Sequence, residues 1–156
     1  MTQRLAYETL IPDGARSLGG VYVYLSRSGL QKALLDLVYL RASLINGCAY
    51  CIDSHSSDLR KDGMTAEKIA LVPVWREADG LFDDREKAAL AWTEVVTEIA
   101  DTRAPQADYQ AARAVFSEKE LADLTLGIGL INVYNRLAIS FRKTPPSLVA
   151  SRPKAG

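Results

Sequence analysis

Cys48, Cys51 and His55 fall within eight residues of one another, and they are the only two cysteines and the only histidine in the chain. On a helix, Cys51 and His55 lie one turn apart on one face, and Cys48 precedes Cys51 by three residues on that face. Two thiols close enough to form a disulfide, beside a base that titrates near neutrality, can carry thiol redox chemistry. The thiolate is the reactive form, and the free N–H groups and positive dipole end of a helix start favour it. His55 can accept the thiol proton or, as imidazolium, stabilise the thiolate. Two other readings compete: buried apolar cysteines beside a helix histidine with no chemistry, and a zinc site. Zinc would draw on Cys48, Cys51 and His55, with Asp36 or Asp53 as a fourth ligand. Structural zinc sites usually take ligands from two separated pairs, however, and a second pair is missing, so no metal is expected. Covalent haem attachment needs a histidine directly after the second cysteine, where Ile52 stands.

The elements that position these residues read as helices. Leu30, Ala33, Leu34, Leu37, Val38, Leu44 and Ile45 follow three-four spacing, and Asn46-Gly47 closes or kinks that helix. A second helix is predicted from near Cys48 to Lys61, ended by Asp62-Gly63, and a short one from Thr65 to Leu71, stopped before Pro73. Asp83 with Glu86, and Ser117 with Glu120, have capping-box spacing. The first opens a helix to about Ala100 and the second a long helix to about Phe141, with a helix over Pro105 to Phe116 between them. The long helix is apolar on two sides (Leu124, Ile128, Ile131; and Leu126, Leu130, Val133, Leu137), which places it centrally in the core or at a subunit contact. Residues 1–28 read as an irregular segment, broken at Pro12-Asp13-Gly14 and Gly19-Gly20, with Val21 to Leu25 open to either strand or helix. Residues 29–143 form the helical domain and 144–156 a mobile tail after Thr144-Pro145-Pro146. With no alternating strand series, the fold class is all-α.

At 156 residues the chain is one domain, long enough to bury a core without staples. Lys and Arg number 19 against 19 Asp and Glu, and no basic stripe carries interleaved aromatics, which excludes nucleic acid as the main partner. The N-terminus lacks the pattern of a signal peptide. Asp123, Asn132, Asn135 and Arg136 interrupt the apolar stretch from Leu121 to Phe141, making it a buried helix and not a membrane span. A cytoplasmic location with no membrane contact is expected. In that reducing compartment a close cysteine pair is more often redox-active or metal-binding than structural.

The stretch from Asp36 through Ser43, Asn46, Gly47, Cys48 and Cys51 to His55 resembles the core of the AhpD-like alkylhydroperoxidases, in the carboxymuconolactone decarboxylase superfamily. The shared pattern is an acid, twelve residues on the first cysteine, then C-x-x-C-x-x-x-H with Ser and Asn-Gly ahead of it. Gly63-Met-Thr-Ala-Glu-Lys-Ile69 and the helix around Trp92 continue the likeness, which is close over about residues 30 to 100 and looser to Asn132–Leu137. The resemblance implies an all-α homo-oligomer, a trimer or hexamer, that reduces hydrogen peroxide or organic hydroperoxides without a bound cofactor. It implies that Cys51 attacks the peroxide, Cys48 resolves the sulfenic acid into a disulfide, and His55 with an acid draws the thiol proton. An external thiol reductant then restores the pair. The relay acid is normally glutamate, whereas Asp36 stands here, one methylene shorter, so a bridging water is the expected alternative to direct contact with His55. Asp36 and Ser43 share a helix face from which both could point at the cysteines. The superfamily's true decarboxylases generally lack the cysteine pair, which argues against decarboxylation.

Other residues invite weaker readings. Gly127 and Gly129 form G-x-G without a preceding strand, so close helix packing is expected rather than nucleotide binding. Asn132, Asn135 and Arg136 need polar partners on an apolar helix, within the fold, at the pocket or at a subunit boundary. Tyr50 either walls the pocket or simply packs, and Trp75 and Trp92 fill core or interface space.

Overall fold

The computed structural model describes residues 2–150. Its helices are α1 (Tyr7–Leu10), α2 (Pro12–Leu25), α3 (Lys32–Asn46), α4 (Ala49–Lys61), α5 (Ala66–Leu71), α6 (Asp84–Thr97), α7 (Ile99–Thr102), α8 (Gln106–Arg113), α9 (Glu118–Ser140) and α10 (Pro146–Ala150). A 3-10 segment, Val72–Glu77, follows α5, and no strand occurs among the described residues. The fold is all-α, as the periodicity requires. No described helix is long and apolar enough to cross a membrane.

Helix α3 is the axis of the molecule because it is apolar almost all round. Leu34, Leu35, Val38, Tyr39 and Ala42 join a core with residues of α2, α6 and α9, while Leu37 and Leu40 join a second core with Leu59 of α4, Val72 and Trp75 of the 3-10 segment and Leu90 of α6. A helix apolar on most of its sides must be enclosed. Both capping boxes form as their spacing predicts, Asp83 with Glu86 and Ser117 with Glu120. Trp75 and Trp92 are buried, and their indole N–H groups donate to Glu94 (2.8 Å) and Thr125 (2.9 Å). Helix α9 buries Leu124, Ile128, Leu130 and Ile131, whereas Leu126, Val133 and Ile139 face outward.

Three sequence expectations require correction. The expected irregular segment 1–28 is helical over Tyr7–Leu10 and Pro12–Leu25: Pro12 occupies the first turn of α2, where its fixed φ suits a helix, and the chain passes through Gly14, Gly19 and Gly20 without breaking. Leu18, Val21 and Leu25 pack on the first core, and Tyr24 Oη donates to Asp123 of α9 at 2.8 Å. Tertiary burial outweighs the helix cost of three glycines. The helix expected to reach Ala100 breaks at Glu98 and restarts as α7. Regular structure does not stop at Pro145-Pro146 either, since α10 docks on α4, where Ser147 N–H donates to Asp53 Oδ2 at 2.8 Å. The remainder of the expected tail, residues 151–156, lies outside the described residues.

Two glycines should respond oppositely to alanine. Gly47 has φ +70°, a left-handed conformation that costs an L-residue about 1 kcal/mol, so Gly47→Ala should lower the urea midpoint accordingly. Gly129 is an exposed glycine inside α9 with open space where a Cβ would stand, so Gly129→Ala should add about 0.5–1 kcal/mol in the same titration.

Candidate redox site

The site begins where α3 ends. Gly47 takes the left-handed conformation, and the next N–H, that of Cys48, donates back to Ser43 O at 2.9 Å, closing a Schellman-type turn. Cys48 is at the same time the N-cap of α4: its sulfur accepts the N–H of Cys51 at 3.4 Å. No spare residue separates the helices, so the polar face of α3 meets the start of α4.

Both thiols are buried and free, with their Sγ atoms 2.7 Å apart. That is inside van der Waals contact and outside the covalent length of roughly 2.05 Å. The hydrogen-bonding contact with the Cys51 thiol stabilises a Cys48 thiolate against the opposing effect of burial, and the Cys51 N–H and the Asn135 amide add to it. Cys48 is thereby lowered to about 7. The contact with Cys48 and burial push Cys51 the other way, well above the usual thiol range, although Asn135 and Ser43 partly offset them. The two thiols titrate as a pair, the first proton leaving near neutrality and the second held well above it.

Asp36 and His55 are in direct contact, Oδ1 to Nδ1 at 3.3 Å, so the shorter aspartate reaches without a bridging water. Asp36 Oδ2 also accepts from Lys32 at 2.7 Å, and Lys32 bridges on to Asp62 at 2.6 Å. Burial disfavours the Asp36 carboxylate, but the His55 and Lys32 contacts prevail and hold it below the usual carboxylate range. The His55 ring packs against Tyr39, centroids 5.1 Å apart. Asp58 brings a third ligand atom within 4.8 Å of those of Asp36 and His55, a grouping that includes neither cysteine. Asp53, the other acid considered for a metal, faces α10 instead.

Ser43 and the asparagines form one network, fully buried at Ser43 and Asn135. Asn46 donates to Asn135 Oδ1 (2.8 Å) and Asn132 Oδ1 (2.9 Å), and Asn135 donates to Ser43 Oγ (3.0 Å). Asn135 is fully buried and faces both sulfurs. Arg136 bonds back to Asn132, so of the three polar residues on α9 it is Asn135 that reaches the cysteines.

The sulfurs open onto different spaces. Cys51 and His55 line an apolar cavity of about 330 Å³, walled also by Tyr22, Tyr39, Tyr50 and Tyr134. Cys48 lines a separate groove with Ala138, Arg142 and Leu148 on the far side of Tyr50. The cavity is walled further by Tyr7 and Glu8 of α1, Ile11 between the helices, Leu18 of α2 and Lys143, which pairs with Glu8 and lies over the Tyr50 ring at 4.3 Å. Sequence reasoning misses this wall because the glycines and proline make the segment look irregular. The spacing of Ala15, Leu18 and Tyr22 (i, i+3, i+7) is the signal that points to it.

Comparison with known proteins agrees with this architecture. A family model described as carboxymuconolactone decarboxylase matches residues 14–95. The uncharacterised protein YdfG of Bacillus subtilis is 36% identical over 140 residues, covering 90% of this chain and 95% of its own. The crystal structure of an Agrobacterium tumefaciens protein of unknown function, described as a candidate antioxidant defence protein, AhpD, superposes with a TM-score of 0.88 at 39% identity. It covers 93% of this chain and 99% of that one. The alkyl hydroperoxide reductase AhpD of Maricaulis maris is 47% identical over 45 residues, only 29% of this chain and 26% of its own.

The paired titration has a spectroscopic consequence. A pKa lowered to about 7 means that Cys48 is protonated below that pH and ionised above it. Thiolate absorbance of the reduced protein should therefore rise by one equivalent with a midpoint near 7, the second equivalent appearing only at far higher pH. In Cys48→Ser the transition near 7 should vanish.

Proposed function

Because this chain belongs to the carboxymuconolactone decarboxylase family, we propose that its cysteine pair works as the redox centre of a thiol-dependent peroxidase, reducing organic hydroperoxides or hydrogen peroxide. The observation that carries this reading is the division of the pair between two spaces. Cys51 shares the cavity wall with His55, while Cys48 waits 2.7 Å behind it. A substrate in the cavity meets Cys51 and not Cys48.

The steps follow from that arrangement. Cys51 Sγ attacks the distal peroxide oxygen and the O–O bond breaks. The Cys51 proton passes to His55, whose imidazolium is held by Asp36, and from there to the departing alkoxide, which leaves as an alcohol. Cys51 is now a sulfenic acid. The Cys48 thiolate attacks Cys51 Sγ and expels hydroxide, which becomes water, and a disulfide remains. Two electrons have passed from the thiols to the peroxide, and an external thiol reductant returns them by exchange. No step calls for a metal or a bound cofactor. The outward-facing Leu126, Val133 and Ile139 of α9 offer apolar surface for the trimer or hexamer that the family resemblance implies.

A second reading, thiol–disulfide exchange without specific peroxidase activity, draws on the low pKa of Cys48 and its own surface groove. The rate of thiol loss when reduced protein meets cumene hydroperoxide separates the two. A peroxidase should lose both thiols per peroxide consumed, far faster than free cysteine at the same pH; a rate equal to free cysteine would favour exchange. With Cys51→Ser, peroxide-driven oxidation of Cys48 should cease. With Cys48→Ser, mass spectrometry should find sulfenic acid at Cys51. His55→Ala should slow the reaction about a hundredfold and Asp36→Asn about tenfold.

A further inference from the structure

The cavity that Cys51 and His55 share carries one ion pair in an otherwise apolar wall. Among the described residues that line it, Glu8 is the only carboxylate and Lys143 the only ammonium, and the two are bonded to each other. Neither is enclosed. The Glu8 side chain is 40% exposed and that of Lys143 24%, so a molecule in the cavity can reach both charges. The thiols and their relay do not use this pair, since Asp36 is what holds His55, and the second Asp36 oxygen goes to Lys32.

The fold fixes both partners. Arg142 takes a left-handed φ of 53°, and the next N–H, that of Lys143, donates back to Ala138 O at 2.9 Å, which closes α9 and sets where the lysine departs. Its Nζ then lies 5.4 Å from the Tyr7 ring centre and 4.3 Å from that of Tyr50. Glu8 sits on α1, and the chain just before α1 is tied to the end of α9. There Arg4 N–H donates to Phe141 O at 2.8 Å and the Arg4 side chain to Ser140 O at 3.1 Å. Burial disfavours both ions, but each holds the other ionised, Glu8 below the usual carboxylate range and Lys143 above the usual amine range. The pair is therefore charged on both sides and neutral in sum across the neutral pH range.

A balanced pair gives an anionic ligand nothing to bind. A carboxylate entering the cavity would shed its water, find the ammonium already taken and meet the Glu8 carboxylate beside it. An uncharged ligand sheds water from apolar surface, which favours entry. We infer that Glu8 is a specificity-determining residue: by occupying Lys143 it tunes the cavity to uncharged organic hydroperoxides and turns away those that carry a carboxylate. Specificity of this kind comes from an element set against the wrong ligand as much as from contacts to the right one. The reaction so selected rests on the peroxidase reading, whereas the charge selection in binding does not.

Two single variants and their combination test this, with cumene hydroperoxide and its para-carboxylate as paired substrates and the corresponding alcohols as binding probes. The quantity read is the preference for the neutral member over the carboxylate, in Kd by titration calorimetry and in kcat/KM for thiol oxidation. Glu8→Gln leaves Lys143 unopposed and should lower that preference about tenfold, and Lys143→Gln leaves Glu8 unopposed and should raise it by a similar factor. The double variant is neutral again and should return close to the unaltered protein. Loosening of α1 would weaken both members of each pair alike, so it cannot move the preference in opposite directions. Preferences unmoved in both single variants overturn the proposal, as do shifts of the same sign. So does unaltered protein that binds neither alcohol, or binds the carboxylate as tightly as the neutral one. If cumene hydroperoxide oxidises the unaltered protein no faster than free cysteine, yet the alcohol preference shifts in opposite directions, the peroxidase reading falls and the charge selection stands.

Discussion

The left-handed backbone at Gly47 obliges α3 and α4 to turn back on each other with a single residue, Cys48, between that glycine and α4. From that constraint the site follows. Cys48 closes α3 through its N–H and opens α4 through its sulfur, so the thiol cannot move without disturbing two helix ends. The reversal sets the α3 face bearing Asp36, Tyr39 and Ser43 against the α4 face bearing Cys51 and His55. Contacts that look remote in the chain, such as Asp36 to His55 across nineteen residues, become direct.

Charge is managed by pairing within this fold. Ionisation of Cys48 is favoured by the thiol it sits against, by a helix-start N–H and by Asn135. Asp36 is buried yet remains ionised because it lies between His55 and Lys32, and Lys32 in turn also meets Asp62. Isolated buried charges of this kind would neutralise instead. The asparagine network has a similar logic. Asn46, Asn132 and Asn135 satisfy one another and Ser43, so α9 is held in register beneath the thiols without a charge of its own.

The apolar cavity is a joint product of elements from both ends of the chain. α1 and α2 supply one wall, α9 another, and the Glu8–Lys143 pair fastens the two beside Tyr50. Tyr50, between the cysteines in sequence, borders both the cavity and the Cys48 groove, which is how one side chain can keep two sulfurs in contact on separate faces. Burial of the pair away from bulk water leaves each sulfur approachable from one direction.

The sequence by itself determines the local features. Three-four periodicity marks α3 and α9, two capping boxes mark the starts of α6 and α9, Asn46-Gly47 marks the junction, and the C-x-x-C-x-x-x-H spacing marks the thiols and His55. Each depends on neighbours within a few residues, so composition and spacing suffice. The helical state of residues 12–25 and of 146–150 is not legible there, because glycine and proline argue locally for breaks and only packing against α9 and α4 overrides them. The reach of Asp36 to His55, the turn of Asn135 toward both sulfurs and the pairing of Glu8 with Lys143 are decided by tertiary structure alone. They depend on the angle and distance at which helices pack, and that geometry is set by the whole core and not by any segment of the sequence.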